Sequence, residues 1–505
     1  MNRFLDYKVI PALPKLVWMV KIKKDDPCIE VICGSKVERE KNFFVAGVWD
    51  GTFSEAGFDA SEVFYGTGAK LSSGGVTLVT PSHSIERVMV YKDYSQITAS
   101  NSFPFLLEYN GLKLDNKINQ YEKILCSLLG GYNKIQTDIP LEGNNTVLQY
   151  IVSNITIDFD LNVSAERRRK LSPFRSFDEY RSRLAAMLGR LRENSVSANR
   201  KNSSFGMAAT ISSGYDSPAC AVLAKEAGCT RVRSLSGSRY DEDDGSDIAR
   251  KIGFTEIIRR QCGSYRDKPG CIDAEYISSG EPGTEMQFCV FEDMFADNLV
   301  FFGSRGSYWE RSFEMTEDFE MHGYFYYETG VSWTENALRN GYIPIPLPAY
   351  GASVCNSVKA ISNSEEMKPW TLGTKYDKPI PRRIVESAGV SRESFGQKKY
   401  GGGFSLGYDS FRRMKKKMTR EGYESFSRFR KKHPAAKFTL SKLINKIRYT
   451  CKLMPLYINI IFGKLHISAR LNQKPPGIAN PGAPSDLIFW AVDVMKERYA
   501  KAMNG

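Results

Sequence analysis

Histidine and clustered cysteine are what this chain has least of. Its 505 residues include four His, and its ten Cys are scattered with no Cys-x-x-Cys pair, Cys28 and Cys33 lying nearest to each other. A zinc site needs such ligands brought together, so zinc is not expected. Isolated thiols spread through a long chain fit a reducing compartment, and the cytoplasm is the expected location. Long hydrophobic runs are also missing. No window approaches the roughly 20 apolar residues that cross a bilayer, and no signal-peptide core precedes Asp6. Leu453 to Phe462 is short, contains Asn459 and reads as a buried helix or strand. There is no low-complexity tract and no internal repeat, which excludes solenoid architectures.

What is present is the composition of a soluble globular protein, 42% apolar and 25% charged, in a chain long enough for two or three domains. The net charge of +13 is concentrated. Phe411 to Lys452 carries fifteen Lys or Arg against Glu421 and Glu424, so the remainder is close to neutral. Tyr423, Phe426, Phe429, Phe438 and Tyr449 are interspersed with these cations. Such a segment suits a polyanionic partner (nucleic acid, anionic lipid headgroups or an acidic glycan), or helices that turn their aromatics to a core.

Residues 1–165 read as a β-rich domain. Val48-Trp-Asp-Gly-Thr-Phe, Val63-Phe-Tyr-Gly-Thr-Gly, Val76-Thr-Leu-Val-Thr, Arg87-Val-Met-Val-Tyr and Leu106-Leu-Glu-Tyr are apolar or alternating runs between turn residues. Ser176-Phe-Asp-Glu179 has the form of a capping box, and Phe177, Tyr180, Leu184, Leu188 and Leu191 follow at helical spacing. A long amphipathic helix is therefore expected to open a second domain, residues 170–410. After the polar break Lys201–Ser204, strands (207–211, 231–235, 256–259, 298–302) alternate with helices (219–227, 246–252). This order predicts an α/β fold with a doubly wound parallel sheet. Residues 411–505 form a basic, mainly helical extension.

Met207-Ala-Ala-Thr-Ile-Ser-Ser-Gly-Tyr-Asp-Ser-Pro218 is the most informative stretch. A strand-type run enters a small-residue turn and a helix pattern follows, which places backbone N–H groups and a helix N-terminus where a phosphate could sit. Ser212, Ser213, Gly214 and Ser217 would line that loop, and Asp216 could hold Mg²⁺. An ordinary strand–turn–helix connection is the alternative.

The segment resembles the Ser-Gly-Gly-x-Asp-Ser pyrophosphate loop of the N-type ATP pyrophosphatases. Residues 170–405 more fully resemble the synthetase domain of the asparagine synthetase family, which includes β-lactam synthetase. Asp244-Gly-Ser-Asp-Ile-Ala-Arg-Lys-Ile-Gly253 is similar to that family's Asp-rich turn and Ala-x-x-Leu-Gly helix. Leu299-Val-Phe-Phe-Gly-Ser-Arg-Gly306 is similar in place to its second nucleotide loop. Lys378-Pro-Ile-Pro-Arg382 and Gln397-Lys-Lys-Tyr-Gly401 resemble its Lys-x-x-Leu-Arg and Arg-Pro-Lys-x-Gly. The resemblance implies ATP and Mg²⁺, adenylation of a carboxylate with release of pyrophosphate, and amide formation with ammonia or a substrate amine. Gly303 and Gly306 would join the nucleotide loop, while Arg305, Lys378 and Lys399 would be the cations for the leaving group and amine attack.

Departures accompany the match. Ser213 stands where the family has Gly, and Tyr308 and Trp309 stand at its Asp-Glu pair, leaving Glu310 or an acid of Asp241-Glu-Asp-Asp244 to replace a metal ligand. Ile343-Pro-Ile-Pro-Leu-Pro occupies the place of a segment carrying a catalytic Glu, and Asn2 replaces the Cys nucleophile of the glutaminase-containing members. Residues 1–165 are accordingly expected to be a degenerate glutaminase-like domain, with ammonia drawn from elsewhere. A PP-loop enzyme that modifies RNA, or a non-catalytic nucleotide-binding homologue, are the alternatives, and a homo-oligomer is compatible with each.

Overall fold

The computed structural model describes residues 3–118, 121–237, 241–311, 317, 330–374, 376–398, 406, 411–433, 454 and 485–505. Asn2, Lys399 and the remainder of Gln397–Gly401 after Lys398 lie outside the described residues. So do Leu453–Phe462 apart from Met454, and the basic segment after His433 with Phe438 and Tyr449.

The N-terminal part is built from two sheets. One has seven strands in the order Phe4–Val9, Cys28–Cys33, Trp18–Lys23, Gln96–Ser100, Val88–Lys92, Thr146–Tyr150, Asp138–Pro140; only its first pair is parallel. The other has six antiparallel strands: Val163–Arg167, Ser153–Ile157, Gly75–Val79, Phe64–Ser72, Phe43–Trp49, Glu38–Arg39. Their inner faces meet through Trp18, whose ring packs edge-on against Phe44 at 5.1 Å and whose indole N–H donates to Thr67 Oγ1 at 2.9 Å. That bond satisfies the polar atom of a side chain with no exposed surface.

One strand expected here is a helix. Leu106–Tyr109 belongs to Phe103–Tyr109, where Ser102 caps the first turn by accepting from Phe105 N at 3.2 Å and Pro104 fits the first turn without an N–H. Burial of nearly every side chain masked the helical period. The C-terminal helix Ser485–Asn504 covers this element, with Tyr499 stacked on Phe105 at 4.8 Å.

The long helix forms over Phe177–Ser195, and its five apolar positions are buried. Its capping box is half made. Ser176 Oγ accepts from Glu179 N at 3.2 Å, but the Glu179 carboxylate takes the Arg175 N–H at 3.0 Å instead of that of Ser176. The turn that follows is fastened to the N-terminal sheets by Glu38, whose buried carboxylate accepts from the backbone N–H groups of Lys201, Asn202 and Ser203.

A five-stranded parallel sheet follows in the order Glu256–Gln261, Arg231–Ser236, Gly206–Thr210, Asn298–Phe302, Ile343–Pro346. The order reverses at Gly206–Thr210, the first of these strands in the chain, as in doubly wound sheets. Ile343–Pro346 is an edge strand, which explains how a strand can carry Pro344 and Pro346. One apolar cluster runs from Leu5 to Tyr499 through both N-terminal sheets and the parallel sheet.

Candidate functional site at the switch point of the parallel sheet

The loop Ile211–Tyr215 leaves the carboxyl end of the switch strand and enters the helix Asp216–Glu226. That helix buries Pro218 to Ala224 against the sheet, which fixes its first turn at the strand ends. No side chain caps that turn, so its backbone donors point to the place where an anion is favoured. The loop is held by its own hydroxyls. Ser217 Oγ accepts from Ser212 N at 3.0 Å and lies 2.9 Å from Ser212 Oγ, which accepts from Gly214 N at 3.3 Å. Two hydroxyls share one mutual hydrogen bond, so one O–H proton remains to donate outward. Ser213 turns aside: its Oγ donates to Asp243 at 3.0 Å and its N–H to the carbonyl of the same residue at 3.1 Å.

The second loop meets the first. A Cβ on Gly303 would come within 2.7 Å of Ser217 N, and one on Gly306 would collide with the Asp216 carboxylate. Both positions therefore need glycine for close approach. Between them Arg305 takes a left-handed backbone, φ 71°. Its charge is felt at Tyr308 and, with burial as the larger cause, pushes His83 of the N-terminal sheets down to about 3.

Lys378 completes the arrangement. Its ammonium donates to Asp216 Oδ2 at 2.7 Å, to Asp216 Oδ1 at 2.9 Å and to the Gly306 carbonyl at 2.9 Å, and lies 3.3 Å from Glu310. The lysine side chain is 3% exposed, and a cation so buried requires these acceptors. Cys220 registers the same charges one helical turn on: burial and Asp216 push its thiol well up while Lys378 opposes.

An aromatic layer that sequence reasoning did not find covers the loop. Tyr215 packs against Tyr376 at 4.8 Å and Phe395 at 6.0 Å. The Arg382 guanidinium, wholly buried, donates to the Tyr215 hydroxyl and lies 4.9 Å from its ring. Gly396, at φ 65°, donates its N–H to the Ser213 carbonyl at 2.7 Å; a side chain there would strike the Tyr215 ring. These aromatics share no period, so no pattern marks them as one layer.

Ser212, Ser213, Gly214, Asp216, Ser217, Gly303, Gly306 and Lys378 thus converge, and Arg305 lies in the same second loop. Tyr308 and Trp309 are core residues: Tyr308 packs with Leu128, Val152 and Cys355, and the Trp309 indole donates to the Tyr180 hydroxyl at 2.9 Å. Two acids of 241–244 border the loop with their carboxylates already engaged, Asp243 by Ser213 and Asp244 by Ser246 and Arg259. Among the described residues no group of three His, Cys, Asp or Glu side chains is placed to hold a metal ion. No described helix is long and apolar enough to cross a membrane. Compared with known proteins, the chain matches no family model and none of the curated proteins.

Proposed function

We propose that the chain is an asparagine synthetase-like ligase that adenylates a carboxylate with ATP, releasing pyrophosphate, and then forms an amide with release of AMP. The observation that carries this reading is the convergence on Asp216: a small-residue loop at the switch point, a second glycine loop against its carboxylate, and Lys378 closing on both. Those parts come from three places in the sequence and follow the order in which the resemblance implies them.

In this reading the β,γ-pyrophosphate lies over Ser212–Ser217, with backbone N–H groups and the spare hydroxyl proton as donors. Asp216 and Glu310 fit Mg²⁺, because both already share one cation and Mg²⁺ is commonly held by one or two carboxylates plus phosphate oxygens. Mg²⁺ bound there supplies charge neutralisation for the phosphates. Lys378 stabilises the departing pyrophosphate as a carboxylate oxygen bonds to the α-phosphorus and the bond to the bridging β-phosphate oxygen breaks. The amine nitrogen then bonds to the acyl carbon and AMP leaves with the acyl oxygen. The nitrogen sheds one proton as the amide forms; residues 340–349 contain no acid to take it, so the phosphate of the departing AMP or solvent receives it.

The test is incubation with α-labelled ATP, Mg²⁺ and a pool of small metabolites, beside an Asp216→Ala control. AMP formed only by the intact protein is the expected result. Neither AMP nor a Mg·ATP-dependent rise in melting temperature would leave a non-catalytic homologue as the better reading.

A further inference from the structure

We propose that the outer face of the helical hairpin Phe411–Lys432 docks double-stranded nucleic acid through its phosphate backbone, independently of the nucleotide site. The hairpin consists of the helices Phe411–Lys417 and Arg420–Lys432. Its apolar side is already occupied: Met414, Met418 and Phe426 have no exposed surface, and Phe426 packs on Trp490 of the C-terminal helix at 5.5 Å. The joint is anchored. Thr419 N donates to the buried Asp273 carboxylate at 2.9 Å, and Thr419 Oγ1 accepts from Gly422 N at 3.0 Å, capping the second helix. Arg266 and the Tyr265 hydroxyl satisfy carbonyls at the end of the first, Lys415 and Lys417.

What faces outward is mostly cationic, with Glu421 and Glu424 the exposed acids of the hairpin. Arg412, Arg413, Lys415, Lys416, Arg428, Lys431 and Lys432 are exposed. Among the described residues none of the seven has a carboxylate partner, whereas Arg420 pairs with Asp267 and Arg430 with Asp486. Residues 434–485 contain eight Lys or Arg and no Asp or Glu, so that stretch cannot neutralise the face.

The form of the surface selects the partner. Insertion into a lipid interface needs a free apolar face on the helix, and here that face is buried. Single-stranded nucleic acid is held by stacking on exposed aromatics. Phe411 is exposed but lies under the Arg430 guanidinium at 3.9 Å, and Phe429 stacks on His433 at 4.4 Å. Charge without stacking or an insertable face suits a regular phosphate ladder. The second helix is about 20 Å long, the span over which a duplex presents about 12 phosphates.

The experiment is fluorescence anisotropy of the full chain with a labelled DNA duplex of about 20 base pairs across a salt series, competed by a single strand of equal length. Salt-dependent duplex binding is expected, with a slope of log K against log salt near −6 if all seven cations reach phosphates. Arg413→Glu with Lys415→Glu and Lys416→Glu should weaken binding by about 100-fold and cut the slope by about 3. Lys8→Glu with Lys41→Glu and Lys117→Glu, matched in charge but elsewhere on the surface, should leave it within a few-fold. Should the first variant melt early, Arg428→Gln with Lys431→Gln and Lys432→Gln tests the same face. Tighter binding to the single strand overturns the proposal. So does binding to phosphatidylserine vesicles without duplex binding, an equal loss in the matched control, or no binding at all.

Discussion

Lys378 and Asp216, 162 residues apart in the sequence, meet with 2.7 Å between ammonium and carboxylate. The contact ties the helix Pro379–Ser387, which Lys378 precedes, to the loop of the switch strand. It also sets a cation beside the two carboxylates that would take a metal. Removing the lysine leaves Asp216 and Glu310 facing each other without it. Lys378→Met should therefore destabilise the fold by about 3 kcal/mol in urea unfolding. The double variant with Asp216→Asn should recover part of that loss, since the charge left behind is gone. A Lys378→Met protein as stable as the parent would show that the pair contributes nothing to the fold.

Ser213 and Ser217 are both loop serines with different duties. The Ser213 hydroxyl is directed to Asp243, whereas the Ser217 hydroxyl accepts from Ser212 N and faces Ser212. Ser213→Ala should cost about 1 kcal/mol of stability and leave the melting-temperature rise with Mg·ATP in place. Ser217→Ala should abolish most of that rise. The reverse ranking in paired thermal melts would put Ser213 against the phosphates.

Gly306 is required for space and not for backbone freedom: its φ is not among the positive ones, yet a Cβ would overlap the Asp216 carboxylate. Gly306→Ala must push Asp216 off Lys378. It should lose the nucleotide-dependent stabilisation altogether, while Gly373→Ala, at an exposed left-handed turn with nothing near its Cβ, should cost stability alone. Isothermal titration with Mg·ATP separates the two effects.

Much of the local structure around this loop is legible in the sequence. The helix at Ser246–Ile252 and the strand at Asn298–Phe302 stand at the expected residues, because Ile248, Ala249 and Ile252 recur at helical spacing before Gly253 and the apolar run of the strand is sharply bounded. Asp216, Gly303, Gly306 and Lys378 stand in recognisable motifs and lie together in the fold. What the sequence hid was long-range. The pairing of Lys378 with Glu310 and the layer of Tyr215, Tyr376, Phe395 and Arg382 depend on chain crossings that no local period encodes. The helix at Phe103–Tyr109 was concealed for a different reason. A helix buried on nearly every side is apolar all round, so it reads like a strand, and only the Ser102 cap and Pro104 distinguish it.

Glu335 gives a pH dependence that can be read from outside the site. It is fully buried, accepts from Ser102 Oγ at 2.7 Å and the Tyr499 hydroxyl at 2.6 Å, and is pushed by burial from 4.5 up to about 7, those two hydrogen bonds opposing. A carboxyl raised in the folded state binds its proton more tightly there than in the unfolded chain. Its contribution to stability is therefore full below about pH 4.5 and is lost as pH rises through about 7. Glu86 and Glu122 are raised in the same direction by burial and add to this loss, whereas His83, pushed down by burial, opposes it below about pH 6.5. The share of Glu335 is isolated by Glu335→Gln, which cannot ionise: the difference in melting temperature between variant and parent should shift in favour of the variant from pH 5 to pH 8. Because Tyr499 belongs to the C-terminal helix, amide exchange in Ser485–Asn504 should quicken beyond its intrinsic pH dependence in the parent and follow that dependence alone in the variant. An exchange rate that follows only the intrinsic pH dependence in both proteins would mean that the titration of Glu335 does not reach the helix, which is then held by its apolar face alone.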